Sequence, residues 1–121
     1  MKEQEIKEGN KLIAIFMDLT ENNNGLSYFV ETQGWTSPLN LLYDTSWDWL
    51  MPVIEKITEI DITPAPNWSG YRIEIVPRGY VKISGFPMHP SITTNVSIEG
   101  SLINAVYKAV VEFIKLYNEN K

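Results

Sequence analysis

Residues 101 to 118 carry the strongest periodic signal in the chain and set the terms on which everything else must fold. Ile103, Val106, Val110, Phe113 and Tyr117 form a heptad-like stripe flanked by Leu102, Ala109 and Ile114, with Asn104, Lys108, Glu112, Lys115 and Glu119 on the opposite face. Ser101 stands where an N-cap accepts from the free amides of a first helical turn. A helix of this kind owes most of its stability to covering its apolar stripe, so other elements must pack on it.

A second helix is expected between residues 45 and 60. Thr45 followed by Asp48 resembles a shortened capping box, and Asp48 also lies near the positive end of the helix dipole. At about 100° per residue, Trp47, Leu50, Ile54 and Ile57 form one stripe and Trp49, Val53 and Ile60 another, while Asp48, Pro52, Glu55 and Glu59 must face water. Pro52 lies beyond the first turn, where it removes a hydrogen bond, so a kink or an interruption at Met51 is expected. Trp47 and Trp49 are about 200° apart around such a helix. Both enter a core only if the helix is covered on two sides, which is the favoured reading.

A third helix is expected over about 10–20. Asn10 reads as its N-cap, and Leu12, Ile13, Phe16 and Met17 share one face; residues 1–9, ending in Gly9, then form a mobile arm. The run Asn22-Asn23-Asn24-Gly25 marks a turn, and Leu26 to Thr32 is rich enough in aromatic and β-branched types to be a strand. Thr63 to Asn67, with two prolines, is irregular. The clearest strand is Tyr71 to Val76, where Tyr71, Ile73 and Ile75 alternate with Arg72 and Glu74; it turns through Pro77-Arg78-Gly79 into Tyr80 to Ser84, with Val81 and Ile83 inward. Gly85 to Ile98 reads as a long loop with an extended piece at 93–97. The expected fold class is α+β: a single domain over 1–121, with three helices (about 10–20, 45–60 and 101–118) on a small antiparallel sheet of two to four strands that includes the hairpin 71–76/80–84.

Composition narrows the function classes. With 121 residues, of which 44% are apolar, the chain is long enough to bury a core without staples. It has no cysteine, which removes disulfides, thiolate nucleophiles and thiolate zinc sites. The net charge of −5 and the scattered lysines argue against nucleic acid as a partner. The charged start of the chain lacks a signal-peptide core, and no run is long and apolar enough to span a bilayer, so a cytoplasmic protein with no membrane partner is expected.

Few residues suggest chemistry. His89 is the single histidine and sits between prolines, where a structural role outweighs a general base or a metal ligand. Asp44 and Asp48 lie one helical turn apart and would form a carboxylate pair, though acids near a helix start more simply cap it and complement its dipole. Asp44, Asp48 and His89 therefore define the weaker reading, a small enzyme or ligand-binding pocket. No metal or cofactor is expected, since the glycines are isolated and no ligand cluster is present in the sequence. The tryptophans are the better clue: Trp35, Trp47, Trp49 and Trp68 are candidate anchors of an interface with another protein or with a second copy in a homodimer.

The segments Ser46 to Ile57 (SWDWLMPVIEKI) and Ala105 to Asn118 (AVYKAVVEFIKLYN), with Asn10 to Ala14 (NKLIA), resemble a group of small uncharacterised proteins of Bacteroides-type bacteria and their phages. The likeness spans the three expected helices and is most specific at Trp-Asp-Trp-Leu-Met-Pro. It implies a shared fold and a phage or mobile-element setting, and it assigns no activity and no site. The expected function is that of a non-enzymatic accessory or regulatory protein acting through protein contacts.

Overall fold

The structure, a computed structural model, describes residues 2–22, 25–60, 71–85 and 89–119, and for residues 89 and 90 it describes the backbone. In chain order the elements are α1 (Glu3–Phe16), β1 (Glu21–Asn22), β2 (Ser27–Val30), β3 (Gly34–Thr36), a 3-10 turn (Pro38–Asn40), α2 (Trp47–Glu59), β4 (Tyr71–Ile75), β5 (Tyr80–Gly85), β6 (His89–Asn95), α3 (Val96–Glu99) and α4 (Leu102–Glu119). The α+β class is as expected; the sheet count and several boundaries differ.

Helix α4 touches every other long helix and two strands of the larger sheet. Its buried residues include Tyr107 and Val111 beside the stripe read from sequence, so well over half its circumference is covered. The cap at Ser101 forms as expected, its hydroxyl accepting from the Asn104 amide at 3.2 Å. Before it, Asn95 caps α3 by accepting from Ser97 and Ile98, and Gly100 ends that turn at φ 93°, a conformation that favours glycine.

Helix α1 starts seven residues earlier than its expected cap and runs unbroken through Gly9 and Asn10. The sequence reading failed because both residues serve distant partners rather than a helix boundary. The Tyr107 ring packs so closely that a Cβ at Gly9 would collide with its hydroxyl and crowd the Val111 methyl. Gly9→Ala should therefore destabilise by about 2 kcal/mol, overpacking outweighing the better helix propensity of alanine, and urea unfolding measures it. Asn10 is fully buried and bonds outward from the helix.

The end of α1 is a Schellman closure in which Leu19 N–H reaches the Ala14 carbonyl and Asp18 N–H that of Ile15, both at 3.0 Å. Asp18 holds the left-handed position, φ 59°, that glycine usually takes. Lys56 of α2 reaches across to donate to the Phe16 carbonyl and to the Asp18 carboxylate, the latter at 3.1 Å.

Helix α2 begins at Trp47, and the cap expected from Thr45 and Asp48 does not form: Ser46 holds the N-cap position without a side-chain bond. Asp48 still lies in the first turn, where its charge complements the dipole. The interruption expected at Met51 is absent. Pro52 is exposed within a continuous helix, on the solvent stripe with Asp48, Glu55 and Glu59, where water can reach the freed carbonyl. Leu50, Val53, Ile54 and Ile57 are buried as the stripes require.

The described residues form two three-stranded antiparallel sheets rather than one, in the orders β1-β2-β3 and β4-β5-β6. Gly34-Trp35-Thr36, read as a break, is strand β3, pairing Phe29 with Trp35 and Tyr28 with Thr36. The hairpin of β4 and β5 forms in the expected register, with Glu74 opposite Lys82 across its solvent face. Val81 and Ile83 point inward, whereas Ile75 is exposed near the turn. The region read as a loop, Gly85 to Ile98, holds β6 and α3. Its prolines obscured a strand that lies at a sheet edge, where Pro90 leaves no ladder bond of an inner strand unmade. The irregular segment Thr63 to Asn67 lies outside the described residues, as does Trp68.

Candidate functional site

Among the described residues, grooves of several hundred Å³ open in two places. One, of about 380 Å³, runs between α1 and α4 and is lined by Glu5, Glu8, Tyr107, Lys108 and Lys115 among others. Its charges are largely satisfied within the fold: Lys108 pairs with Glu5 at 2.6 Å, and Glu112 stands within 4 Å of both Lys108 and Lys115. The hydrogen bond from Lys108 holds the Glu5 carboxyl below its ordinary range, and the same bond raises the lysine. Little charge is left there for a ligand.

The second groove, of about 440 Å³, lies between the end of α1, strand β2 and the first turns of α2. Its apolar lining includes Leu19, Phe29, Val30, Tyr43, Trp49 and Pro52, and its acids are Asp18, Glu31 and Asp48. Each element places its residues by a local rule. The Schellman turn throws Asp18 and Leu19 outward. Strand alternation turns Tyr28 into the core and Phe29 out. The first turn of α2 offers Asp48 and Trp49 from a rigid helix. Tyr43 and Trp49 meet edge to face at 5.2 Å, and burial pushes the Tyr43 phenol up to about 12.

The aromatic surface continues beyond the groove. Phe29 packs edge to face on its cross-strand partner Trp35 at 5.5 Å, and the Trp35 ring is 53% exposed. Trp47 is 38% exposed at the start of α2, with Met51 exposed one turn on. The favoured expectation that α2 buries both of its tryptophans is thus corrected: Trp49 is half-buried in the groove wall and Trp47 reaches water. The buried face of Leu50, Val53, Ile54 and Ile57 lies between the two rings around the helix, so each stands at an edge of it, Trp49 half-covered and Trp47 exposed.

Asp48 lines the groove, while the charge of Asp44 is felt by the buried Tyr107 phenol, which it helps to raise. His89 opens β6 opposite Gly85, and its side chain lies outside the described residues. Among the described residues no group of three or more His, Asp or Glu is placed to hold a metal ion. Also among the described residues, no helix is long and apolar enough to cross a membrane.

Phe29, Tyr43, Asp18 and Glu31 escaped the sequence reading. The signal for Phe29 was available: adjacent Tyr28 and Phe29 in one strand cannot both face the same side, so one large ring had to be outside. Glu31 and Asp18 gave none, since each becomes part of a groove only once residues far apart in sequence meet. Comparison with known protein families, with curated proteins and with solved structures finds no match to this chain.

Proposed function

We propose that the chain is a non-enzymatic accessory or regulatory protein that works by holding part of another protein in the groove between β2 and the start of α2. The observation that carries this is a groove lined by both Trp49 and Phe29, with the exposed Trp35 packed on Phe29 beyond it. Aromatic rings supply large contact area at low entropic cost and concentrate where interfaces are anchored. The groove is also the right size to take a few side chains. The phage or mobile-element setting that the resemblance implies suits such a role, since a small protein there acts on machinery it does not itself encode.

Site-specific photo-cross-linking in cells tests it. A photoreactive residue at Thr32, in the groove, should give adducts with another protein, while one at Lys115, in the α1/α4 groove, should not. Adducts at Lys115 alone would overturn the assignment of the site. Adducts from Thr32 to a second copy would keep the groove and make the partner the chain itself.

A further inference from the structure

Resting on the groove as the docking site, we propose that the segment it holds is basic, bringing a lysine or arginine side chain against Trp49 and Phe29 with its charge met by Asp48 and Glu31. Three acids line the groove, and among the described residues none of those lining it is basic. Asp18 is paired with Lys56, but Glu31 and Asp48 have no ion-pair partner among the described residues. A cation arriving there meets two carboxylates that no cation of the described residues already pairs. The net charge of −5 acts in the same direction over longer range, drawing basic partners in and speeding encounter.

The molecule already seats one lysine in the kind of setting proposed. At the margin of the groove, Lys56 places its ammonium 4.8 Å from the centre of the Phe16 ring, with the Phe16 carbonyl and the Asp18 carboxylate as its acceptors. Ring face, carbonyl and carboxylate together replace the water a lysine gives up. The groove beside it offers the same chemical types without an internal lysine to fill them: Trp49, Tyr43 and Phe29 as rings, and Asp48 and Glu31 as acids.

A compact ion is a poor fit, because the acids do not converge as a metal cage. A free polyamine fits the charges but leaves the apolar surface idle. That surface extends out of the groove through Phe29 to Trp35, so an occupant that uses all of it carries apolar side chains beside its charge, as a protein segment does.

The test is a titration of the folded chain, followed by the indole signals of Trp49 and Trp35 in nuclear magnetic resonance spectra. Three twelve-residue peptides share the same leucines and differ in having lysine, glutamine or glutamate between them; spermine serves as a small cation. The lysine peptide should shift both indoles and bind at least about tenfold more tightly than the glutamine peptide at low salt, the advantage falling severalfold at high salt. Asp48→Asn with Glu31→Gln should cost about tenfold in affinity, whereas Glu55→Gln with Glu59→Gln, the same change of charge outside the groove, should cost less than about twofold. Equal loss from both pairs would reduce the effect to net charge and overturn the proposal. Equal groove binding by the glutamine peptide would overturn the charge requirement and leave the docking site standing. Spermine binding as tightly as the lysine peptide would replace the protein segment by a small cation. If none of the probes moves the indoles, this proposal fails, and cross-linking at Thr32 decides separately whether the groove docks a partner at all.

Discussion

Asn10→Ala should lower the free energy of unfolding by about 3 kcal/mol, the cost of taking a donor from two buried carbonyls outweighing the gain in helix propensity. The Asn10 amide donates to the Pro38 carbonyl at 2.8 Å and the Leu41 carbonyl at 3.0 Å, holding the 3-10 turn against α1. Its oxygen faces the Tyr107 hydroxyl at 3.0 Å, and that hydroxyl also lies 2.9 Å from the Ile6 carbonyl. Flipping the amide would set its oxygen against two carbonyl oxygens, so the orientation is fixed by the partners. Alanine takes the side-chain donor from both carbonyls, leaving that of Pro38 with only the 3.3 Å bond from the Leu41 N–H, and removes one of the two acceptors of the phenol. Urea unfolding should show a lower midpoint with an unchanged slope, and the melting temperature should fall by about 10 °C. Asn10→Asp should be worse still, because a carboxylate has nothing to donate to either carbonyl. A loss under about 1 kcal/mol for alanine would mean that water takes over the role of the amide.

The chain should also lose stability in alkali, above the pH at which the tyrosines of an unfolded chain ionise. Burial raises the Tyr43 phenol to about 12, and burial together with the charges of Asp44 and Glu5 raises Tyr107 further. In the unfolded chain both ionise near the ordinary tyrosine value of about 10. Above that pH the unfolded state loses protons that the native state keeps, so alkali favours unfolding. Stability is therefore complete below about pH 10 and falls steadily as pH rises through the folded value of Tyr43, which alone accounts for about 2–3 kcal/mol. Unfolding free energies from urea curves at pH 9, 10.5 and 11.5 should show a plateau followed by a steepening decline. Tyr43→Phe should leave the plateau nearly in place and make the decline shallower. A decline that begins well below pH 10, or one that Tyr43→Phe does not change, would assign the effect to other groups.

How much was legible in the sequence depended on how local the cause was. Helix α4 was read nearly to the residue because Ser101 and the stripe from Ile103 to Tyr117 are local signals. The β4–β5 hairpin was legible for the same reason, its alternation and its turn lying within fifteen residues. Gly9 and Asn10 misled because each was chosen by a contact far along the chain, Gly9 by the ring of Tyr107 and Asn10 by the turn after Pro38. Their local preferences say boundary, and tertiary packing overrules them. Strand β6 was hidden by its prolines, whose cost depends on whether the strand is central or at an edge, which only the assembled sheet decides. The groove was half legible. Trp35, Trp47 and Trp49 were singled out as aromatic anchors, but which ring faces water and which acids join Trp49 depend on how β2 and the end of α1 dock beside α2.

The bond from Tyr107 to the Ile6 carbonyl joins residues 101 positions apart, and it gives the molecule an order of events during synthesis. Helix α1 leaves the ribosome before both of the elements that seat it, the turn after Pro38 and α4. Until then Ile13 and Phe16 have no α4 to cover them, and an early-formed α1 must wait as an isolated amphipathic helix too short to be stable alone. Final folding of these elements is therefore a closure of α1 on α4 rather than a growth from one end.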